Sequence, residues 1–543
     1  MTNRIAGRAW PSLIAFLLLG ACYLALRLPS LMALPLFNDE AVYLLRAQRF
    51  PQMLAAEGPA GATLPDGKLI QELLLAALAA LPGDPLVPSR LLSLACGLAT
   101  TLTLAALGRA LGRPVAGLLA GALYALSPLA LIHDLLGLPD SLLTLVSVLL
   151  LWASVQLGSR PQATRRDAAV VGVLLAVAAL VKLAGLLLFA VPLLAVLLLP
   201  NSWAERRRRL GLLRTTLIIA LACVAALAPL HYGGAERQKL AGEAQGRLTV
   251  IVRNLGDVTA WTARYLPGPL LLLPLLLLGL EARRPTTDDR RPTTDDRRPT
   301  TDDRRPTIAP RLSAIGYRLS AIGYRLSPSV RLVAFLLAAG LAVMGAFVVV
   351  GLTLYSRYLL PAWPPLLLAA AVAGEELWRR AGGARVVAAA LGASAVAWGL
   401  FFAVSFASNP LRAPLAASDR AQYLERWTAG YNLPVLLADL RAEAATQGGL
   451  IVVNNAQSRL VNVATLLYLA DVPELTFATV DLALPTAEEQ LRMIASSGAS
   501  RLVVDSQLAT VYDVEARLPN LQLLRRYNLP ASEASFLVYE VVP

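Results

Sequence analysis

The stretch "PSLIAFLLLGACYLALRLPSL" (11–31) is apolar and long enough to cross a hydrocarbon core of about 30 Å. Inside such a core every backbone amide needs an internal partner, so the run is expected to be a helix. Arg4 and Arg8 precede it, as in a signal peptide. It is long for that role and no A-x-A-type cleavage site follows, so an uncleaved first span is expected. Comparable runs recur at 86–107, 114–133, 141–157, 168–182, 184–200, 215–231, 266–280, 330–352, 359–374 and 384–405, which makes eleven expected spans. The segment 69–81 is apolar but only about 20 Å long as a helix. A re-entrant or interfacial helix is expected there.

Composition agrees with this reading. Hydrophobic residues make up 56% and charged residues 16% of the 543, where a soluble domain carries about a quarter charged. The net charge of +13 does not point to nucleic acid. The arginines fall in short blocks between apolar runs, such as Arg165 with Arg166, Arg206 to Arg209, and Arg379 with Arg380. That is the pattern of cytoplasmic loops, and no separate basic domain exists to bind a polynucleotide. Cys22, Cys96 and Cys223 all lie in apolar runs without zinc-type spacing, and are read as small buried apolar residues. His133 and His231 stand alone, so neither a metal nor another cofactor is expected.

Placing the N-terminus in the cytoplasm puts the loops near 108–113, 158–167, 201–214, 281–329 and 375–383 there too, and these carry the arginine blocks. The 284–327 region repeats RRPTTDD and then RLSAIGY. The prolines prevent a continuous helix and little can be buried, so a disordered cytoplasmic repeat is expected. From residue 408 apolar runs shorten and charges intersperse. "GGLIVVNN" (448–455), "LTFATV" (475–480), "RLVVDS" (501–506) and "SFLVYEVV" (535–542) read as strands. Helical patterns at 435–447, 460–470 and 487–498 lie between them. The expected architecture is a polytopic α-helical membrane domain (1–407) with an extracytoplasmic α/β domain (408–543).

Chemistry concentrates in the first outer loop, 32–85. "FNDEAVYLLRAQRF" (37–50) sets Asp39 and Glu40 at the outer membrane surface, with Tyr43 and Arg46 following at helical spacing. "LPDGKLIQELLLAALAAL" (64–81) places Lys68 ahead of the short apolar helix. A carboxylate that takes a hydroxyl proton and a cation that holds a phosphate are the parts that transfer from a sugar phosphate requires. Asp140, Arg90, Arg357 and Tyr358 lie near other span ends. Lys182 interrupts an apolar stretch, where an unpaired charge is costly; it either reaches the outer surface at a turn or serves the site.

These stretches together resemble a known family. "SRLLSLACGLATTLTLAALGR" (89–109), "ALSPLALIHDLLGLPDSLLTL" (125–145), "LAVAALVKLAGLLLFAVPLL" (175–194), "YSRYLLPAWPPLLLAAA" (355–371) and "QYLERWTAGYNLPVLLADLR" (422–441) join the two above in the order found in GT-C glycosyltransferases. The nearest branch holds the protein O-mannosyltransferases and the aminoarabinose transferase (glycosyltransferase family 39). In two places the chain departs from its relatives: Leu69 and Ile70 follow Lys68 where the family has prolines, and His133 and Asp134 stand where many relatives have an arginine.

The resemblance implies a GT-C fold and a polyprenyl-phosphate-linked sugar donor used on the outer face of the membrane. It implies Asp39 as catalytic base, with Glu40 and Asp140 beside it, and Lys68, Arg357, Tyr358, Arg90 and Tyr43 around the donor phosphate. The acceptor stays open between lipid, glycan and protein. Two other classes also remain open. A flippase for lipid-linked saccharides would need a charged cavity and internal repeats of the membrane domain. A non-catalytic sensor would bind through its outer α/β domain.

Overall fold

The structure, a computed structural model, describes residues 3–61, 68–200, 202–231, 247–266, 268–283, 327–351, 353–380, 382–456, 459–530 and 532–543. The repeat at 284–327 lies outside these except for Ser327.

Among the described residues all eleven apolar runs are largely helical, with 114–133 broken at Ser127. Among the described residues six helices are long and apolar enough to cross a membrane by length and composition: Leu13–Ser30, Leu86–Ala110, Pro139–Ser159, Trp203–Leu227, Pro328–Val350 and Gly383–Ser408. Other apolar helices are shorter, among them Pro114–Leu126 and Leu272–Ala282. Large apolar side chains on the outer helices, such as Leu17, Ile218, Phe401 and Val404, stay exposed, as lipid-facing residues do. The chain is a multi-pass membrane protein.

Close packing between helices rests on small residues. Leu86–Ala110 and Pro114–Leu126 touch at Gly108 and Gly117, where a Cβ on either would collide with the other's backbone. Without a hydrophobic driving force between helices in lipid, such approach supplies the dispersion contact.

The arginine blocks gather at one end of the bundle. Arg208 and Arg209 donate to carbonyls of the 158–163 turn, at Ala163 and at Gly158 and Arg160. Arg113 pairs with Glu376 at 3.2 Å, and Arg380 with Glu281 at 3.1 Å. Pro139–Ser159 and Trp363–Arg379 run from the other end toward this one, and Arg165–Val181 runs back. Asp39, Asp140, Lys182 and Arg357 therefore share the opposite end.

The 32–85 segment, expected as the first outer loop, is more helical than expected. Asn38–Gly61 is one helix, and Leu69–Leu78 is the short apolar helix. A further helix, Arg247–Tyr265, was not expected from the sequence. It buries Asn254, Val258, Trp261 and Tyr265, and the Asn254 amide caps the end of Pro328–Val350 by donating to Val348 and Gly351 carbonyls.

The C-terminal domain is a five-stranded sheet. We number its strands β1 (Leu450–Asn455), β2 (Leu475–Val480), β3 (Ser500–Asp505), β4 (Leu521–Asn528) and β5 (Ser535–Val541); their order is β2-β1-β3-β5-β4. The first three are parallel, joined through helices Arg459–Tyr468 and Ala487–Ala495. All six residues of β3 are buried, as befits a strand covered on both faces. β4, absent from the sequence reading, is a largely exposed edge strand paired antiparallel to β5.

This domain docks onto the site end. Phe37 and Ala429 form an antiparallel bridge; Asn38 N–H donates to Thr428 O at 3.0 Å, and Gly430 N–H to Leu36 O at 2.9 Å. Tyr468 donates to Asp84 at 3.0 Å.

Candidate active site

The helix carrying Asp39 begins at Asn38. Glu40, on its third residue, accepts from the Phe37 N–H at 3.1 Å and so closes the helix start. Successive helical residues point in different directions, and the adjacent carboxylates part company. Glu40 turns inward and is fully buried. It takes Arg90 at 3.0 and 2.9 Å through both oxygens and the Gly137 N–H at 2.6 Å. Arg90 spends its remaining donors on the carbonyls of Leu31, Leu34 and Pro35. A Cβ on Gly137 would collide with Ser89, so this junction needs glycine. Expected beside the reacting groups, Glu40 and Arg90 instead clamp the loop that leads into the Asp39 helix onto the head of Leu86–Ala110.

Asp39 faces the other way. Its Oδ2 lies 2.8 Å from Arg357 Nη2, and its side chain is 28% exposed, whereas Arg357 is 5% exposed. Arg357 sits in a 3-10 turn, Ser356–Ala362, that ends where Pro364 and Pro365 open the next helix. Ser356 donates to Asp419 at 2.7 Å, and Tyr265 donates to the same carboxylate at 2.5 Å. The unexpected helix Arg247–Tyr265 thereby helps to fix the arginine turn.

Asp140 lies in the first turn of Pro139–Ser159, behind Pro139, where the helix dipole favours a carboxylate. Lys182 ends Arg165–Val181 in an extended conformation and reaches Asp140 Oδ1 at 2.7 Å. Asp140 Oδ2 accepts no hydrogen bond and faces Arg357 Nε at 3.9 Å. The Tyr358 ring lies under the Lys182 ammonium, 3.7 Å from its centroid. Two carboxylates and two cations thus meet in one chain of contacts, Asp39–Arg357–Asp140–Lys182, with Asp39 its most open member.

Lys68 approaches from the short apolar helix. It hydrogen-bonds the Tyr43 hydroxyl and stands over the Tyr43 ring, 4.4 Å from the centroid. Tyr43 is one helical turn beyond Asp39, so Lys68 flanks the cluster from the 32–85 segment. Tyr423, which the sequence reading did not single out as a site residue, touches the cluster, and His133, read there as standing alone, touches Tyr423. Tyr423 accepts from Arg357 Nη1 at 3.2 Å and lies 3.3 Å from His133 Nε2. Burial pushes the Tyr423 phenol well above its ordinary pKa, so it stays neutral.

The fold has known counterparts. ArnT of Cupriavidus metallidurans in the apo state aligns over 99% of this chain and 98% of its own, at TM-score 0.58 and 13% identity. The same enzyme bound to undecaprenyl phosphate gives 0.55 over the same shares at 13% identity. The chain has the GT-C glycosyltransferase fold. The archaeal oligosaccharyltransferase AglB of Archaeoglobus fulgidus, in complex with an inhibitory peptide and a dolichol-phosphate, shares this fold at TM-score 0.52 and 11% identity. That match covers 98% of this chain and 74% of AglB. A family model described as dolichyl-phosphate-mannose-protein mannosyltransferase matches residues 69–229, which include Arg90, Asp140 and Lys182 of the GT-C domain. No curated protein sequence matches the chain.

Proposed function

We propose that this protein is a membrane glycosyltransferase that moves a sugar from a polyprenyl-phosphate donor to an acceptor hydroxyl on the outer face of the membrane. The observation that carries the reading is the Asp39–Arg357 pair, a partly open carboxylate held by a buried cation at one end of a GT-C bundle. Asp39 accepts the acceptor's hydroxyl proton as the oxygen attacks the anomeric carbon, and the bond from that carbon to the phosphate oxygen breaks. Attack opposite the leaving group inverts the configuration. The departing lipid phosphate keeps the electron pair, and Arg357 with Lys68 balances its charge.

The orientation follows from the arginine-rich end. With that end in the cytoplasm, Asp39 and the C-terminal domain face outward. A donor carried by a lipid suits such a site, because nucleotide sugars are made on the other side. Incubating purified protein with radiolabelled undecaprenyl-phosphate sugars tests the reading. Transfer that is lost in Asp39→Asn is expected. Movement of the intact donor across a vesicle bilayer without cleavage would instead make the protein a flippase.

A further inference from the structure

His133 and Tyr423 lie far apart in sequence, yet they touch, and Tyr423 reaches Arg357. His133 closes a one-turn helix, Pro128–His133, and Tyr423 sits in a π-helical turn, Ala421–Glu425, at the entry to the C-terminal domain. Both are buried. π-Turns cost regular hydrogen bonding and are often found where a side chain must be aimed.

The polarity of the contacts can be worked out. The Leu129 carbonyl only accepts, so His133 Nδ1, 2.8 Å away, carries a proton. In the neutral ring Nε2 is then an acceptor, and the Tyr423 hydroxyl at 3.3 Å donates to it. The Tyr423 oxygen is left with lone pairs, which receive Arg357 Nη1 at 3.2 Å, since guanidinium only donates. Every bond runs the same way: Arg357 to Tyr423, Tyr423 to His133, His133 to Leu129. The Tyr423 ring also meets Phe37 edge-on at 5.0 Å, just ahead of the Asp39 helix.

We infer that Tyr423, oriented by His133, is a positioning residue that keeps the Arg357 guanidinium aimed when its Nη2 passes from Asp39 to the donor phosphate. The inference rests on the reading above, in which Arg357 holds that phosphate. Nη2 has two successive partners, so it cannot fix the plane of the fork. Nε faces Asp140 at 3.9 Å, beyond hydrogen-bond length. Nη1 is the edge whose partner need not change, and it belongs to Tyr423. The C-terminal domain thus contributes a side chain to the site at its entry. His133 acquires a role here, because it supports the residue that holds Arg357.

The test is equilibrium binding of radiolabelled undecaprenyl phosphate to the full-length protein in nanodiscs, with thermal midpoints measured alongside. Tyr423→Phe keeps the ring and its contact with Phe37 but removes the acceptor. Losing one hydrogen bond to a charged group should weaken binding about tenfold to a hundredfold, with the midpoint unchanged. His133→Leu should do the same, and the double variant should be no worse than either single, because both break one chain. His133→Gln, whose amide oxygen reaches near Nε2, should recover most of the affinity. In turnover the loss should appear in the KM for donor more than in kcat. Wild-type affinity in Tyr423→Phe, additive losses, or losses that track the thermal midpoint would overturn the inference. If wild type itself binds no undecaprenyl phosphate, the donor reading fails and takes the inference with it.

Discussion

Asp39 and Arg357 stand 318 positions apart in the chain, and their side chains meet at 2.8 Å. In the proposed function Asp39 is the base, and in this state Arg357 holds its carboxylate. An arriving phosphate competes for the same guanidinium. On that proposal donor binding and release of the base are one event, which would order the reaction: donor first, proton abstraction second.

The first prediction follows from that competition. Asp39→Asn should lower turnover by about 10²–10⁴, the usual loss for a positioned base. The same change removes the anion that competes for Arg357, so undecaprenyl phosphate should bind at least as tightly as to wild type. Near-normal turnover in this variant would show that Asp39 is not the base, and Asp140 would become the candidate.

Glu40 should behave in the opposite way to its neighbour. It is fully buried with Arg90 and satisfies the Phe37 and Gly137 amides. Removing one member of a buried pair leaves an uncompensated charge and typically costs about 3–5 kcal/mol. Glu40→Ala and Arg90→Ala should each lower the thermal midpoint and the folded yield. Glu40→Leu with Arg90→Met together should recover part of the loss. If Glu40→Gln folds normally but abolishes turnover, Glu40 acts in the chemistry after all.

The contrast between these two carboxylates marks how far the sequence could be read. Asp39, Asp140, Lys182 and Arg357 are visible as ionisable residues at the edges of apolar runs, where charge is expensive and usually serves a function. Nothing in "NDE" tells Asp39 from Glu40, because which one turns inward depends on how the preceding loop meets Arg90. Tyr423 lies in the 422–441 stretch quoted for the family resemblance but was not marked as a site residue, since a tyrosine in a mixed segment is ordinary until Arg357 is seen beside it. β4 went unread because Arg525 and Arg526 break its apolar pattern, and an edge strand needs only β5 as a partner. The helix Arg247–Tyr265 went unread because its apolar positions are interleaved with arginines.

Lys68→Ala should leave the base untouched and weaken the donor instead. The ammonium flanks the cluster through Tyr43, and a phosphate that loses a counter-charge in a partly desolvated site binds less tightly. A raised KM for donor with little change in kcat is expected. An unaltered KM would remove Lys68 from the phosphate site.

Orientation can be tested with single cysteines in a background lacking Cys22, Cys96 and Cys223. Thr510, exposed in the C-terminal domain, and Arg166, exposed at the arginine-rich end, lie on opposite sides in the proposed topology. In intact cells an impermeant maleimide should label Thr510→Cys and spare Arg166→Cys. The reverse pattern would turn the site toward the cytoplasm and remove the case for a lipid-carried donor.

The last prediction concerns charge balance. Asp39 and Asp140 face Arg357 and Lys182, so the four-residue chain of contacts is neutral. Lys182→Met strips Asp140 of its partner at 2.7 Å and leaves one excess negative charge in a buried place. The nearest remaining cation is Arg357, whose Nε already faces Asp140 Oδ2 at 3.9 Å. Arg357 should then shift toward Asp140, away from Asp39 and from the position where it meets the donor. Lys182→Met is therefore expected to weaken undecaprenyl phosphate binding although Arg357 is intact. Asp140→Asn added to Lys182→Met removes the competing charge and should bind better than Lys182→Met alone. Such a sign reversal is what coupling through a shared partner produces, and independent contributions would not. A double variant no better than Lys182→Met would mean that Lys182 contacts the phosphate itself, and that Asp140 does not govern where Arg357 points.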